Sequence, residues 1–294
     1  MAISAKSRRE LALAIGLVVP AIIILLGMIL FPVGYNFFLS FFEKHMFVPQ
    51  AKFVGIDNYL YLITRDREFL NALINGFIYA FGSIALQLGL GLGAALLLAQ
   101  RFKGRSFFMA LFFFPYMIPT IIVVILWKWL LDASHGYVNY LLTSCNIIHS
   151  PVVWLSEKYI LLVLIFVSVW QFTPFVFFTL LVKLETIPKE LYEAAMVDGA
   201  SAFQRFTRIT LPQIKYILIV IVLLRSLWMF TKFDVVWLLA GSGGILRYGE
   251  TLPVYAYRKT FEYLELGMGT AISVIMFLIL VIVAVISLRL LRHA

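Results

Sequence analysis

Charge is scarce in this chain. Of its 294 residues, 13% are charged and 63% are hydrophobic, and the mean hydropathy is +0.98. A soluble domain is roughly 45–50% apolar and about 25% charged. That balance excludes a water-soluble core and makes the bilayer the natural solvent. Cysteine is almost missing. Cys145 stands alone, which excludes an intramolecular disulfide and any paired-cysteine metal motif, and it reads as a small packing residue. The four histidines, His45, His135, His149 and His293, are scattered and read as solvated loop residues, so no metal site is expected. No glycine-rich turn ends in Gly-Lys-Ser/Thr, so the chain lacks a phosphate loop and is not expected to be an enzyme. The net charge of +9 would suit nucleic acid, but the basic residues lie at the ends of apolar runs and form no single patch, which excludes it.

What the sequence has is long apolar runs. A membrane span needs roughly 20 mostly apolar residues. Six stretches qualify: Leu11 to Tyr35, Ala72 to Ala99, Phe107 to Leu131, Tyr159 to Leu181, Ile214 to Leu239 and Met268 to Leu290. The expectation is an all-α integral membrane protein with six transmembrane helices. Residues 1–10 would be a cytoplasmic tail and 11–294 one transmembrane domain. Lys6, Arg8 and Arg9 precede the first stretch, as in a signal peptide. The run is too long for a signal core and shows no convincing cleavage site, so it reads as an anchor that stays.

Six spans put both termini on one side. That side carries thirteen Lys and Arg residues, among them Arg101, Lys103 and Arg105 in one short loop, against Glu10, Glu185, Glu190, Glu193 and Asp198. The opposite side carries eight basic residues against nine acids. The Lys/Arg excess predicts cytoplasmic termini.

A long cytoplasmic loop, 182–213, should have a structure and a job of its own. Thr186 is placed to cap a first helix, with Pro188 in its first turn, and the helix runs Lys189 to Asp198 and stops at Gly199. Leu191, Ala194, Ala195 and Asp198 share a face, and its small residues let another surface approach closely. Ser201 is placed to cap a second helix, which Pro212 is expected to break before the fifth span.

Glu193, Ala194, Ala195, three residues, Gly199, nine residues, Ile209, one residue, Leu211 and Pro212 reproduce the EAA signature of bacterial ABC importer permeases. The flanking text, from Ile187-Pro188-Lys189 to Gly199-Ala200-Ser201 and from Phe233-Asp234 to Tyr255-Ala256-Tyr257, resembles the carbohydrate-uptake branch, similar to maltose permease subunits. The resemblance runs from Phe53 onward. One departure is Gly241-Ser242-Gly243-Gly244, where many relatives have Gly-Gly-Pro.

The resemblance implies a type I ABC importer permease fold in the bacterial cytoplasmic membrane. It implies that Glu193 is the polar contact with an ATP-binding subunit, that Ala194 and Ala195 form the close-packed face and Gly199 the hinge, and that Asp198, Ile209, Leu211 and Pro212 complete the coupling segment. It also implies the partners: a second permease subunit, expected to be a paralogue, two ATP-binding subunits that hold ATP and magnesium, and an extracytoplasmic binding protein that delivers a sugar. No cofactor is expected in this chain.

The substrate pathway is read from polar groups inside spans, which are expensive there and usually face a cavity or partner. The fifth stretch holds Arg225, Lys232 and Asp234. Arg225 and Lys232 lie seven residues apart, roughly two turns at about 1.5 Å rise per residue, on one face with Met229. On one continuous helix Asp234 points nearly away from Lys232. Trp228, Phe230, Phe233 and Trp237, with Trp170, Gln171 and Phe172 of the fourth stretch, offer stacking faces and hydroxyl contacts for sugar rings. Gly89, Gly91 and Gly93 of the second stretch read as a site of close helix packing.

Two other functions fit part of the pattern. One is a same-family importer of a glycerol phosphate or polyol, which Arg225 with Lys232 would favour. The other is an ion-coupled secondary transporter or a membrane-embedded enzyme. A coupled carrier needs a mid-membrane carboxylate, and Asp234 is the only carboxylate in any predicted span, toward one end.

Overall fold

The computed structural model describes residues 5–100, 102–241 and 245–292. Arg101, Ser242, Gly243, Gly244 and His293, which figure in the reading above, lie outside the described residues.

In chain order the elements are α1 (Ala5–Leu25), a π-turn (Leu26–Leu30), α2 (Phe31–Leu39), two short strands β1 (Phe42–Glu43) and β2 (Lys52–Phe53), α3 (Asp57–Thr64) and α4 (Arg67–Leu98). Next come α5 (Arg105–Met117), α6 (Thr120–Leu130), α7 (Tyr137–Ser144), α8 (Ile160–Glu185), α9 (Lys189–Val197), α10 (Ala202–Arg205) and a π-turn (Phe206–Thr210). The chain ends with α11 (Leu211–Phe230), α12 (Asp234–Ala240), α13 (Leu246–Gly249), α14 (Leu252–Tyr257), a π-turn (Arg258–Glu262) and α15 (Leu266–Arg292). Five helices among the described residues are long and apolar enough to cross a membrane, and α5 with α6 makes a sixth if that bent pair is one span. The fold is that of an all-α membrane protein.

Three boundaries differ from expectation. The third stretch is not one rod. It breaks at Ile118-Pro119, and the two arms are bent by 98°. Proline lacks an N–H and pushes the residue before it out of the helical region, and Ile118 sits at φ −81, ψ 129. The fifth stretch is not one helix to Leu239. It stops at Phe230, and a new helix starts at Asp234. An aspartate is disfavoured within a helix and favoured in its first turn, which is where the break places Asp234. Pro212, by contrast, does not break the chain: helix runs from Ala202 through Phe230. The π-turn accommodates it. The Leu211 N–H reaches back five residues to the Phe206 carbonyl, so Pro212 falls in the first turn of α11, where its missing N–H and ring do least harm.

The described chain divides into two compact units. One comprises the chain up to Arg65 together with Ala256–Ile275. Its long N-terminal helix presents exposed side chains, nearly all apolar, from Ile15 to Tyr35. Beyond it, β1 and β2 pair Phe42 with Phe53 and Glu43 with Lys52. Asn58 donates to the Ser40 and Phe42 carbonyls at 2.9 and 3.1 Å. The start of α15 is sewn to the same segment, with the Gly267 N–H on the Lys44 carbonyl at 3.1 Å. A Cβ at Gly267 would stand 2.0 Å from the Phe42 oxygen, so only glycine fits there.

The other unit comprises Asp66–Tyr255 and the chain from Met276 on. Its centre is α8, buried on most of its circumference, with α4 along one side and α11 against both. Gly91 is where α4 meets α8: a Cβ there would lie 2.8 Å from Val176 and 3.1 Å from the Phe177 backbone nitrogen. Gly89 and Gly93 have open space and line an apolar groove instead. Asp66 caps α4 by accepting the Phe69 N–H at 3.0 Å, and its other oxygen accepts the Tyr255 hydroxyl at 2.6 Å.

Candidate functional site: a cavity and an exposed loop helix at the two ends of one long helix

Two features share the helix that runs from Ala202 to Phe230. At its start lies the 182–213 loop. Thr186 does not cap α9. It closes α8 instead, its hydroxyl donating to the Lys183 carbonyl at 2.8 Å, and Pro188 occupies the N-cap of α9. The other end of α9 forms as expected. Gly199 adopts φ +77. Its N–H reaches the Met196 carbonyl at 3.1 Å, and the Ala200 N–H reaches the Ala195 carbonyl at 2.9 Å. This is the left-handed glycine stop in which two orphan carbonyls are satisfied by reversed bonds. Ser201 then opens α10 with a reciprocal cap: its hydroxyl accepts the Gln204 N–H at 3.2 Å, and the Gln204 side chain accepts the Ser201 N–H at 2.7 Å.

The result is a short helix that stands out from the protein. No residue of α9 is fully buried. Tyr192 and Ala195 are half-buried and face inward, while Glu193, Ala194 and Asp198 are exposed. Glu193 makes no hydrogen bond or ion pair among the described residues. The same loop carries exposed apolar side chains, Val197 at 88% and Phe203 at 74% among them. Ile209 is half-buried, and Leu211 and Pro212 are exposed. Arg105 braces this end of the unit: it pairs with Glu185 and donates from Nε to the Leu98 carbonyl at 2.6 Å, closing α4.

Toward the other end, Arg225, Trp228, Lys232 and Asp234 come together as the walls of a cavity of about 450 Å³, completed by Tyr116, Phe172, Met229, Thr231 and Phe233. Arg225 is 1% exposed. Its Nε donates to Gln87 Oε1 at 2.8 Å. Its guanidinium lies 5.1 Å from the Phe172 ring centre and 5.6 Å from that of Trp228. Gln87 in turn donates to the Ser168 carbonyl at 3.3 Å, and the Ser168 hydroxyl shares a 2.6 Å bond with Tyr79. One polar chain thus ties α4, α8 and α11 together beneath the cavity. No carboxylate pairs with Arg225 among the described residues.

Lys232 and Asp234 are partners, contrary to the single-helix geometry. The break after Phe230 cancels the angular offset, and Nζ stands 3.0 Å from Oδ1. Lys232 also lies 4.6 Å from the Phe172 ring centre. Aromatic faces beside paired and unpaired charges make a wall that can stack on the C–H face of a sugar ring while its polar groups meet hydroxyls.

Trp170 and Gln171 do not join this wall. Trp170 lines the apolar groove, packed edge-on against Trp127 at 5.6 Å. Gln171 is buried at the α5–α6 break and donates to the Ile118 carbonyl at 3.2 Å and Thr120 Oγ1 at 3.3 Å. It thereby satisfies backbone freed by Pro119, as irregular backbone at membrane depth requires. Sequence reasoning missed Gln87 and Tyr116. A glutamine in the middle of an apolar run was the available signal for Gln87.

Residues 87–294 match the family model described as the binding-protein-dependent transport system inner membrane component. The chain is 35% identical to the trehalose/maltose transport system permease protein MalF of Thermococcus litoralis, over 96% of this chain and 94% of that protein. It is 30% identical to the trehalose transport system permease protein SugA of Mycobacterium tuberculosis, over 96% and 89%. In fold it is similar to a bacterial ABC transporter involved in import of the acidic polysaccharide alginate, with TM-score 0.84 and 23% identity over 98% of each chain. A second structure, of a bacterial alginate ABC transporter in complex with an alginate pentasaccharide-bound periplasmic protein, gives TM-score 0.85 at 21% identity, over 98% of this chain and 96% of that one.

Proposed function

This chain belongs to the family of binding-protein-dependent transport system inner membrane components, and on that premise we propose that it is a membrane-embedded permease subunit of an ATP-driven sugar importer. It forms half of the translocation pathway for a sugar or oligosaccharide, and α9 is its coupling surface. The observation that carries this reading is the unbroken rod Ala202–Phe230, which joins the loop holding α9 to the cavity. The exposed α9 leads through the Gly199 stop and the Ser201 cap into a rod that ends at the walls of the Arg225 cavity. The relatives' sugar specificities point to the same substrate class.

The finer assignments are part of the proposal. Both termini and α9 are cytoplasmic, supported by the Lys/Arg excess on that side. Two ATP-binding subunits dock there, and they hold the ATP and magnesium. Glu193, exposed and unpaired among the described residues, gives them a polar contact, and Ala194, Val197 and Phe203 give an apolar one. A second permease subunit supplies the other half of the pathway, and a binding protein delivers the sugar from outside. The Lys232–Asp234 pair neutralises one of the two cations and leaves Arg225, so the choice of a sugar over a glycerol phosphate rests on the relatives' sugar specificities.

The test is assembly. The chain is co-expressed with its candidate ATP-binding and permease partners and purified through a tag on the ATP-binding subunit. The wild type is expected to be retained and Glu193→Ala to be retained at reduced yield. Failure of the wild type to associate with any ATP-binding subunit contradicts the proposal.

A further inference from the structure

α9 touches the rest of its unit at few places, so the path by which a push on it reaches the cavity is short enough to trace. The inward stripe of α9 is Tyr192 and Ala195. Tyr192 packs against the buried cluster of α4, α8 and α11 that includes Leu184, Ile187 and Ile214. Its hydroxyl shares a 2.9 Å hydrogen bond with Oγ1 of Thr210. Thr210 is 4% exposed and is the last residue of the π-turn that admits Pro212. It lies on the same unbroken helix as Arg225, fifteen residues further on, or about 22 Å at about 1.5 Å per residue.

We propose that the Tyr192–Thr210 hydrogen bond is the strut that converts displacement of α9 into movement of α11, making Tyr192 and Thr210 positioning residues for transport. The inference rests on the importer reading above. The physical argument has three parts. A helix held by one glycine stop and one capped turn is free to rock as a body, because Gly199 tolerates backbone angles that other residues do not. A rocking helix moves a neighbour only through contacts that resist shear. Apolar packing slides, whereas a hydrogen bond to a buried hydroxyl fixes both distance and direction. The π-turn, an uncommon i→i+5 element, ends at Thr210, so the push enters the rod at the residue that abuts α11. A load applied at Thr210 therefore enters the straight α-helical part, and little is absorbed by the bulge.

The experiment uses the full assembly of permease and ATP-binding subunits in proteoliposomes, with a sugar-loaded binding protein. Tyr192→Phe keeps the ring and removes one oxygen. Thr210→Val keeps the shape and removes the other. Uptake of labelled sugar and ATP hydrolysis are measured together. Each variant is expected to assemble and hydrolyse ATP, with sugar moved per ATP lowered about fivefold, the weight of one neutral hydrogen bond. The double variant should be no worse than either single one, since one interaction has been removed once. Wild-type ratios in both singles overturn the strut, as do additive losses in the double variant or loss of assembly in both singles. A wild-type assembly without sugar-stimulated hydrolysis refutes the importer reading itself, which is a different outcome.

Discussion

Arg225 on α11 donates to Gln87 on α4 at 2.8 Å, and that bond is the pivot of a polar chain reaching Ser168 and Tyr79. A buried guanidinium without a carboxylate among the described residues is costly, and its neutral acceptor and two flanking rings carry most of the compensation. Gln87→Leu removes the acceptor while keeping the volume. A hydrogen bond to a charged group is worth about 1.5–3 kcal/mol, so the detergent-solubilised assembly should be destabilised and inactivate at a lower temperature. Arg225→Lys should not rescue function, because an ammonium cannot both reach Gln87 and lie against two aromatic faces. Wild-type stability of Gln87→Leu would contradict the network.

Gly199 sits at φ +77. Gly199→Val places a β-branched residue in the left-handed region, at a cost of roughly 1–2 kcal/mol. The α9 stop should loosen while membrane insertion continues. Binding-protein-stimulated ATP hydrolysis is expected to fall by at least tenfold, with basal hydrolysis retained. Unchanged stimulation would remove α9 from the coupling account.

Gly91 and Gly93 are two residues apart on α4 and have opposite surroundings. Gly91→Leu drives a side chain into Val176 and the α8 backbone, an overpacking that costs typically about 1–3 kcal/mol. Gly93→Leu points into the open groove and should be close to neutral. Yield of folded protein in membranes separates them, and equal yields would contradict the α4–α8 packing.

Lys232 and Asp234 are paired, but Asp234 is 43% exposed. A partly solvated pair contributes roughly 0.2–1 kcal/mol. Asp234→Asn should leave stability nearly unchanged while lowering sugar uptake several-fold, because it frees a cation beside Phe172. A large stability loss with normal uptake would make the pair structural.

The number of apolar segments was legible in the sequence because composition alone governs partition into a bilayer. The Gly199 stop and the Ser201 cap were legible because both are local, set by residues within one turn. The misses share a cause. Thr186 and Pro212 obey rules that hold for an isolated helix, but here the preceding helix α8 claims Thr186 and a π-turn absorbs Pro212. The breaks at Ile118-Pro119 and after Phe230 were hidden inside runs that are apolar enough to read as continuous. Gln171 has the composition of a pathway residue, and its place at the α5–α6 break depends on a neighbouring helix that hydropathy does not reveal. The Lys232–Asp234 pairing followed from the unseen break.

The most direct test of the central claim is sugar uptake coupled to ATP hydrolysis. The chain is reconstituted with its permease and ATP-binding partners in proteoliposomes, and binding protein loaded with neutral disaccharides, polyols or glycerol phosphates is added outside. The account predicts that a loaded sugar stimulates hydrolysis and accumulates inside, that glycerol phosphates do neither, and that Glu193→Ala weakens both responses to sugar. Solute accumulation that proceeds without ATP and follows a proton or sodium gradient would contradict it.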